Sequence, residues 1–274
     1  MKKLGLCLSG GGARGAYQVG ALEALEEAGL LERFTAFSGT SIGSANLAVL
    51  LSSSLPRVRA LWLDMPEHGF ADKDEMVAHL KEHKFRFLEN GLFSIQALDK
   101  LLDATIDINV IRNHDFFVTV AKVGEASDGV LQFIKATFKH YFHKDDNVLY
   151  LNIKEQPEDD IKQAVIASCS IPVVFPVQQI KQSKYVDGGL FDNLPVKPLV
   201  DAGCSDVVVI DITRFIRTGA NEMNFDGVNV HTLRPSKSIG RVLDFTPKHA
   251  ATIHQQGYDD MKAFLSSELD DLLS

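Results

Sequence analysis

The chain has 274 residues, of which 45% are hydrophobic, and its formal net charge at pH 7 is −8. This length suits one large α/β domain, because two domains would each be rather small. The acidic balance argues against nucleic acid as a partner and against recognition of anionic lipid by charge, since both require clustered lysine and arginine. Any contact with a membrane is therefore expected to be peripheral and to use apolar surface.

Three cysteines and a short apolar start indicate where the chain resides. Cys7, Cys169 and Cys204 are odd in number, widely spaced and set among apolar residues, a pattern typical of buried thiols in a reducing compartment. Residues 4–8 form an apolar run that is too short for the core of a signal peptide, and no apolar stretch is long enough to span a bilayer. These features predict a cytoplasmic protein.

The first sixty residues read as two strand-turn-helix units. Residues 4–8 predict a buried parallel strand, and residues 13–28 predict a helix that stops at Gly29. Residues 35–38 predict a second short strand, which turns at Gly39 into a helix over residues 41–54. Both turns fall at the carboxyl ends of strands, where open α/β sheets bind their ligands.

The rest of the chain alternates between helical and extended patterns. Apolar spacing over residues 57–115 is mostly helical, with no indication of a functional role. A turn-like polar stretch between residues 118–123 and 130–134 predicts an antiparallel hairpin. Further elements are predicted as a helix over 161–168, a strand over 207–212 and an amphipathic helix over 247–273. No repeat or linker marks a boundary, so residues 1–274 are expected to form one domain with its core at 4–212.

Residues 39–43 (GTSIG) fit the pattern G-x-S-x-G of a nucleophile elbow. In such an elbow a serine projects its hydroxyl from a tight strand-to-helix turn, and the flanking glycines tolerate strained dihedrals and close contacts. The alternative is an ordinary serine at a helix N-terminus. The strand-turn-helix context favours Ser41 as a nucleophile, flanked by Gly39 and Gly43.

Residues 10–15 (GGGARG) place bare backbone amides at the start of a helix, where unpaired N–H groups favour negative charge. This loop suits an oxyanion hole, whose candidate residues are Gly10, Gly11, Gly12, Ala13, Arg14 and Gly15. The same residues satisfy G-x-G-x-x-G, so a nucleotide-binding module is the rival interpretation. A dinucleotide fold would carry an acidic residue at the end of the next strand, where this chain has Ser38.

Residues 185–189 (YVDGG) supply an acid between a short apolar strand and two glycines, Gly188 and Gly189. A nucleophilic serine needs a base, and Asp187 in this setting is the candidate. The alternative is a turn aspartate, because Asp-Gly is a common turn former.

These three segments together resemble one family, the patatin-like phospholipases. Members carry a glycine-rich oxyanion loop, a G-x-S-x-G elbow and a D-G-G or D-G-A base motif in this order. Residues 167–176, Asn193 and Pro195 are also similar to family segments, and the resemblance covers residues 4–55 and 160–212 best.

The resemblance implies a three-layer α/β/α fold around a mainly parallel sheet, with Asp187 acting directly on Ser41 in a dyad. It implies no metal and no cofactor, and a lipid ester or phospholipid as substrate. A short-chain esterase or thioesterase on the same fold is the alternative, and the oligomeric state is open. Arg14 would serve either the loop geometry or the phosphate of the substrate.

The histidines give little support to a triad. His231, His249 and His254 follow Asp187 in the chain, as a triad histidine would, but none lies in a distinctive motif. His79 and His83 have the spacing of a metal pair without the H-E-x-x-H pattern, so a solvated helix face is expected there.

Overall fold

The computed structural model describes residues 2–63, 96–125, 147–171, 175–213 and 224–273. The predicted strand over 130–134, the pair His79 and His83, and most of the predicted helical middle lie outside these ranges.

The described residues form an eight-stranded sheet with helices on both faces, which confirms the predicted α/β fold. The strands are β1 Leu4–Leu8, β2 Phe34–Thr40, β3 Asp115–Glu125, β4 Val148–Asn152, β5 Gln178–Ile180, β6 Ser183–Asp187, β7 Asp206–Ile210 and β8 Asn229–Leu233. The α-helices are α1 Gly15–Glu27, α2 Ile42–Ser52, α3 Leu55–Leu63, α4 Gln96–Thr105, α5 Ile108–Ile111, α6 Glu158–Ser168, α7 Lys197–Asp201 and α8 Pro247–Leu273.

The strands β1 and β2 and the helices α1, α2, α6 and α8 confirm the sequence predictions to within a few residues. The predicted strand 207–212 corresponds to β7, whereas the edge strand β8 has no counterpart in the sequence predictions.

Strand β1 lies in the middle of the parallel part of the sheet. It pairs with β2 on one side and β7 on the other, and all five of its residues are buried. Its alternate side chains enter two cores: Leu4, Leu6 and Leu8 pack with α1, α2, α6 and α8, while Cys7 packs near α7. This burial on both faces explains the unbroken apolar run in the sequence.

Two strands meet end to end along one edge of β3. Strand β4 pairs with residues 117–121 of β3 on one side, so β2 at residues 115–119 and β6 at residues 120–125 share the other side. Strand β2 is parallel to β3 and places Thr40 opposite Thr119, whereas β6 is antiparallel and places Asp187 opposite Val120. The carboxyl ends of β2 and β6 therefore converge on adjacent residues of one strand.

Helices α1 and α8 pack with their backbones in close contact. A Cβ atom added at Gly257 would lie 2.0 Å from the carbonyl oxygen of Tyr17, so no side chain fits there without moving a helix. The buried residues Ala250, Ile253, Met261 and Leu265 of α8 complete this face.

We predict that Gly257→Ala lowers the free energy of unfolding by about 1–3 kcal/mol through overpacking. Alanine favours a helix over glycine by about 1 kcal/mol, so the expected loss is the net effect of two opposing terms. Urea unfolding measures it. The control Ala251→Gln adds bulk at an exposed position of α8 with a residue that also favours a helix, and it should change stability by less than about 0.5 kcal/mol. A Gly257→Ala protein as stable as the parent would contradict the backbone contact.

Candidate active site

Ser41 lies between β2 and α2 in a strained backbone conformation. Its φ of 54° and ψ of −129° are rare for a residue with a side chain, and strain of this kind is concentrated at functional sites. The turn is tight enough to exclude side chains around it, since a Cβ atom at Gly43 would lie 2.4 Å from the carbonyl oxygen of Leu8. Residues 39–43 therefore have the geometry of a nucleophile elbow.

Ser168 and Ser44 hold the backbone of the elbow. The Ser41 N–H donates to Ser168 Oγ at 2.9 Å, and Ser168 Oγ donates to the Thr119 carbonyl oxygen at 2.7 Å. On the other side, Ser44 Oγ donates to the Ser41 carbonyl oxygen at 2.7 Å. These bonds, all buried, stabilise the strained dihedrals of Ser41.

Asp187 ends β6 directly beside Ser41. Both residues are almost fully buried, with 4% of Asp187 and 5% of Ser41 exposed, and the Ser41 hydroxyl lies near enough to the Asp187 carboxylate to lower its pKa. The N–H of Gly189 donates to Asp187 Oδ1 at 2.7 Å. The carboxylate is thus oriented by the turn that follows it.

Burial raises the pKa of Asp187 to about 6, while the hydrogen bonds from Ser41 and Gly189 act in the opposite direction. Desolvation dominates because a charged carboxylate loses its hydration there. A carboxylate with such a pKa is a stronger base than an exposed aspartate and is still mainly ionised at neutral pH.

In the glycine loop after β1, residues 10–15, most backbone N–H groups already donate a hydrogen bond. Four of its six amides are engaged: Gly10 N–H donates to Asn193 Oδ1, Ala13 N–H to Val242 O, Arg14 N–H to Gly11 O, and Gly15 N–H to Gly12 O. Among the described residues, no hydrogen bond uses the N–H of Gly11 or Gly12. Within the loop predicted as an oxyanion hole, Gly11 and Gly12 are therefore the residues whose N–H groups have no hydrogen-bond partner in the described part of the chain.

Arg14 holds a neighbouring segment of chain. Its guanidinium donates to the carbonyl oxygen of Gly240 at 2.9 and 3.1 Å and to that of Ile212 at 3.4 Å. The described acidic side chains form no ion pair with it. Of the two predicted roles, loop geometry is the one seen in these contacts.

Ser41, Asp187 and part of the glycine loop line a single cavity of about 310 Å³. Its walls contain Ser41 and Asp187, the glycines 10–12 and 189, the polar side chains Arg14, Asn193 and Thr213, and the apolar side chains Ile171, Leu190 and Val242. The arrangement brings a buried hydroxyl, a carboxylate and two N–H groups without a partner among the described residues to one space. Attack on an acyl carbon requires groups of these three kinds.

The histidines that follow Asp187 do not line this cavity. His231 Nδ1 lies 2.8 Å from Glu268 Oε2, and His254 Nε2 lies 3.2 Å from Glu23 Oε2. His249 packs against Gly240. In the described ranges, no group of three or more potential ligand side chains is placed to hold a metal ion.

The fold and this geometry are those of an α/β protein with a serine on a nucleophile elbow. A family model described as patatin-like phospholipase matches residues 6–200, so the chain belongs to the patatin-like phospholipase family.

Two relatives and two solved structures illustrate the likeness. Lysophospholipase NTE1 of Yarrowia lipolytica is 28% identical over 209 residues, which are 76% of this chain and 12% of that protein. An uncharacterized NTE family protein of Mycobacterium bovis is 26% identical over 220 residues, 78% of this chain and 31% of that protein. The chain thus spans less than a third of either relative.

Two solved structures share the fold at low sequence identity. The structure of VipD from Legionella pneumophila has a TM-score of 0.55 at 17% identity, covering 97% of this chain and 67% of that one. Human GIVD cytosolic phospholipase A2 has a TM-score of 0.59 at 10% identity, covering 99% of this chain and 60% of that one.

Sequence reasoning missed several residues of the site. Asn193 and Ser168 stood in segments with family resemblance, but nothing in their sequence context assigned them a contact. Thr213 and Val242 gave no signal at all, because they reach the cavity from segments that are distant in sequence.

No helix in the described part of the chain is long and apolar enough to cross a membrane.

We predict that Asp187→Asn makes the protein more stable above pH 6. The folded protein holds this proton up to a pKa of about 6, against 3.8 for an ordinary aspartate. The unfolded chain therefore loses its proton at lower pH, and the stability of the parent falls as pH rises from about 4 through 6. The full difference corresponds to roughly 3 kcal/mol.

Urea unfolding at about pH 4 and about pH 8 measures this effect. The control Asp201→Asn removes the charge of a side chain that is 59% exposed, so it should change stability little at either pH. A gap between Asp187→Asn and parent that stays constant with pH would contradict the buried charge.

Proposed function

We propose that the chain is a serine acyl hydrolase that cleaves carboxylic ester bonds of lipids, of the phospholipase A or lysophospholipase type. The observation that carries the proposal is the convergence on one cavity of Ser41, Asp187 and the amides of Gly11 and Gly12, which have no partner in the described part of the chain. Membership of the patatin-like phospholipase family supports it.

The proposed reaction has two halves. Asp187 takes the hydroxyl proton of Ser41 while Ser41 Oγ attacks the acyl carbon, and the N–H groups of Gly11 and Gly12 donate to the oxyanion. The intermediate collapses, the proton passes from Asp187 to the leaving alkoxide, and the acyl group stays on Ser41. Water then loses a proton to Asp187 and attacks the acyl-enzyme. When this second intermediate collapses, the bond to Ser41 Oγ breaks, the proton returns from Asp187 to Ser41 Oγ, and the fatty acid leaves.

The cavity walls favour a lipid ester as the substrate. Ile171 and Val242 offer an apolar wall for an acyl chain, while Arg14, which has no ion-pair partner among the described residues, can meet a phosphate group. Leu190 and Leu243 are 46% and 51% exposed, and both lie at or next to this cavity. Such apolar surface suits peripheral contact with a membrane. Cytoplasmic residence and a single domain over residues 1–274 belong to the same proposal.

A fluorophosphonate probe tests the nucleophile. We expect it to label the parent and to leave Ser41→Ala unlabelled. Peptide mapping of the labelled parent should locate the label on Ser41. Turnover should fall by several orders of magnitude, up to about 10⁶-fold, because the attacking atom is lost. Unchanged ester hydrolysis by folded Ser41→Ala would refute the assignment.

A series of p-nitrophenyl esters of rising chain length, compared with phospholipid vesicles, separates a lipase from a short-chain esterase or thioesterase.

The base is tested by comparing Asp187 with the histidines. Asp187→Asn should lose about 10²-fold to 10⁴-fold in rate, whereas His231→Ala, His249→Ala and His254→Ala should each stay within several-fold of the parent. Because the base must be ionised, kcat/KM of the parent should rise with pH through about 6 and then level off. A folded histidine variant as inactive as Ser41→Ala would show a triad instead.

A further inference from the structure

Asn193 makes a two-point contact with a single residue of the glycine loop. Its Oδ1 accepts from the N–H of Gly10 at 3.1 Å, and its Nδ2 donates to the carbonyl oxygen of Gly10 at 3.3 Å. The side chain is 9% exposed. A buried carboxamide bound at both ends has one orientation, so it fixes the backbone that it contacts.

The Asn193 carboxamide also lies between the glycine loop and the turn after Asp187. A Cβ atom at Gly10 would lie 2.5 Å from Asn193 Oδ1 and 3.0 Å from Ser41 Cβ, and one at Gly189 would lie 2.7 Å from the same Oδ1. Only glycine fits at both positions with the carboxamide in place. The glycine loop, the nucleophile elbow at residues 39–43 and the base turn at residues 187–189 therefore contact each other around Asn193.

The segment that carries Asn193 is itself anchored. The Asp192 side chain accepts from Leu194 N–H at 3.0 Å and from the Tyr150 hydroxyl at 2.5 Å, and the Asp192 carbonyl oxygen accepts from Thr40 Oγ1 at 3.2 Å. Thr40 immediately precedes Ser41. Asn193 is thus held relative to the nucleophile and can transmit that position to the loop.

Peptide geometry connects this contact to the N–H group of Gly11. The carbonyl of Gly10 and the N–H of Gly11 belong to one planar trans peptide, in which they point in opposite directions. Because Asn193 Nδ2 binds the carbonyl oxygen on one side, it directs the Gly11 N–H to the other. The loop between Gly10 and Ala13 consists of glycines, which supply no side-chain packing of their own.

We infer that Asn193 is a positioning residue that aims the oxyanion-binding amide of Gly11 at the acyl oxygen. This inference rests on the proposed function. It assigns Asn193 no contact with the substrate, and it predicts that loss of the carboxamide affects the transition state, in which the oxyanion exists, far more than substrate binding.

The test uses Asn193→Ala and, as a milder variant that keeps a polar group, Asn193→Ser. On a soluble p-nitrophenyl ester we expect kcat of Asn193→Ala to fall about tenfold to 100-fold with KM within about threefold, because a misplaced donor costs rate rather than affinity. The inflection of the pH profile should stay where it is in the parent, since Asp187 is unchanged. Asn193→Ser should fall between the alanine variant and the parent.

A thionoester of the same acid distinguishes positioning from general damage. Sulfur accepts hydrogen bonds poorly, so a well-aimed oxyanion donor favours the oxygen ester over the thionoester. If the Gly11 N–H is misdirected in Asn193→Ala, the ratio of the oxygen-ester rate to the thionoester rate should be smaller than in the parent. The control His254→Ala removes an equally buried polar side chain, 7% exposed and remote from the cavity, and should leave the ratio unchanged.

The outcomes separate the two proposals. An Asn193→Ala or Asn193→Ser protein with parental kcat and parental rate ratio overturns the inference alone, provided that the parent labels at Ser41. A kcat loss with an unchanged rate ratio also overturns it, because the damage is then structural. A parent that neither labels nor hydrolyses esters overturns the proposed function and this inference together.

Discussion

The site depends on one feature of the sheet, the meeting of β2 and β6 along the same edge of β3. Thr40 is opposite Thr119 and Asp187 is opposite Val120, so the residues that end the two strands are held by neighbouring residues of a third. Strand β3 is buried at Val118 and Val120 and paired on both edges, which makes it a rigid support. The distance between the candidate nucleophile and base is thus fixed by backbone pairing and does not depend on flexible side chains. A site carried on regular strands in this way needs little rearrangement before a reaction.

Placing a carboxylate at this junction has an energetic cost. Desolvation raises the pKa of Asp187, and the bonds from Ser41 and Gly189 offset only part of the effect. The fold tolerates the cost because the surrounding core is large and includes helices α1, α2, α6 and α8. The same desolvation makes the carboxylate more basic, as its proposed role as the base for Ser41 requires. Stability is lost and basicity is gained through one cause, as is common for functional residues that break the usual rules of burial.

The sequence predicted local structure well and long-range contacts poorly. Strands β1, β2 and β7 and helices α1, α2, α6 and α8 follow from apolar runs, helical spacing and the glycines that end them. The elbow and the base turn follow from short motifs, because each is made by adjacent residues. The end-to-end meeting of β2 and β6 could not be predicted, since register between distant strands leaves no local pattern. For the same reason the sequence could not show which amides of the six-residue loop already have partners. Two of those partners, Asn193 and Val242, are about two hundred residues away in the chain.

The crowding around Ser41 also bears on why a histidine is absent from the described cavity. The elbow, the glycine loop and the base turn approach so closely that Asn193 Oδ1 leaves space only for glycine at positions 10 and 189. The described residues that line the cavity place no imidazole between Ser41 and Asp187. His231 and His254 instead contact the carboxylates of Glu268 and Glu23, away from the cavity. In the proposed dyad the carboxylate acts on the hydroxyl directly, and its raised pKa suits a base that works near neutral pH. The direct Ser41–Asp187 contact and the glycine-rich composition of the site are therefore two consequences of the same close approach.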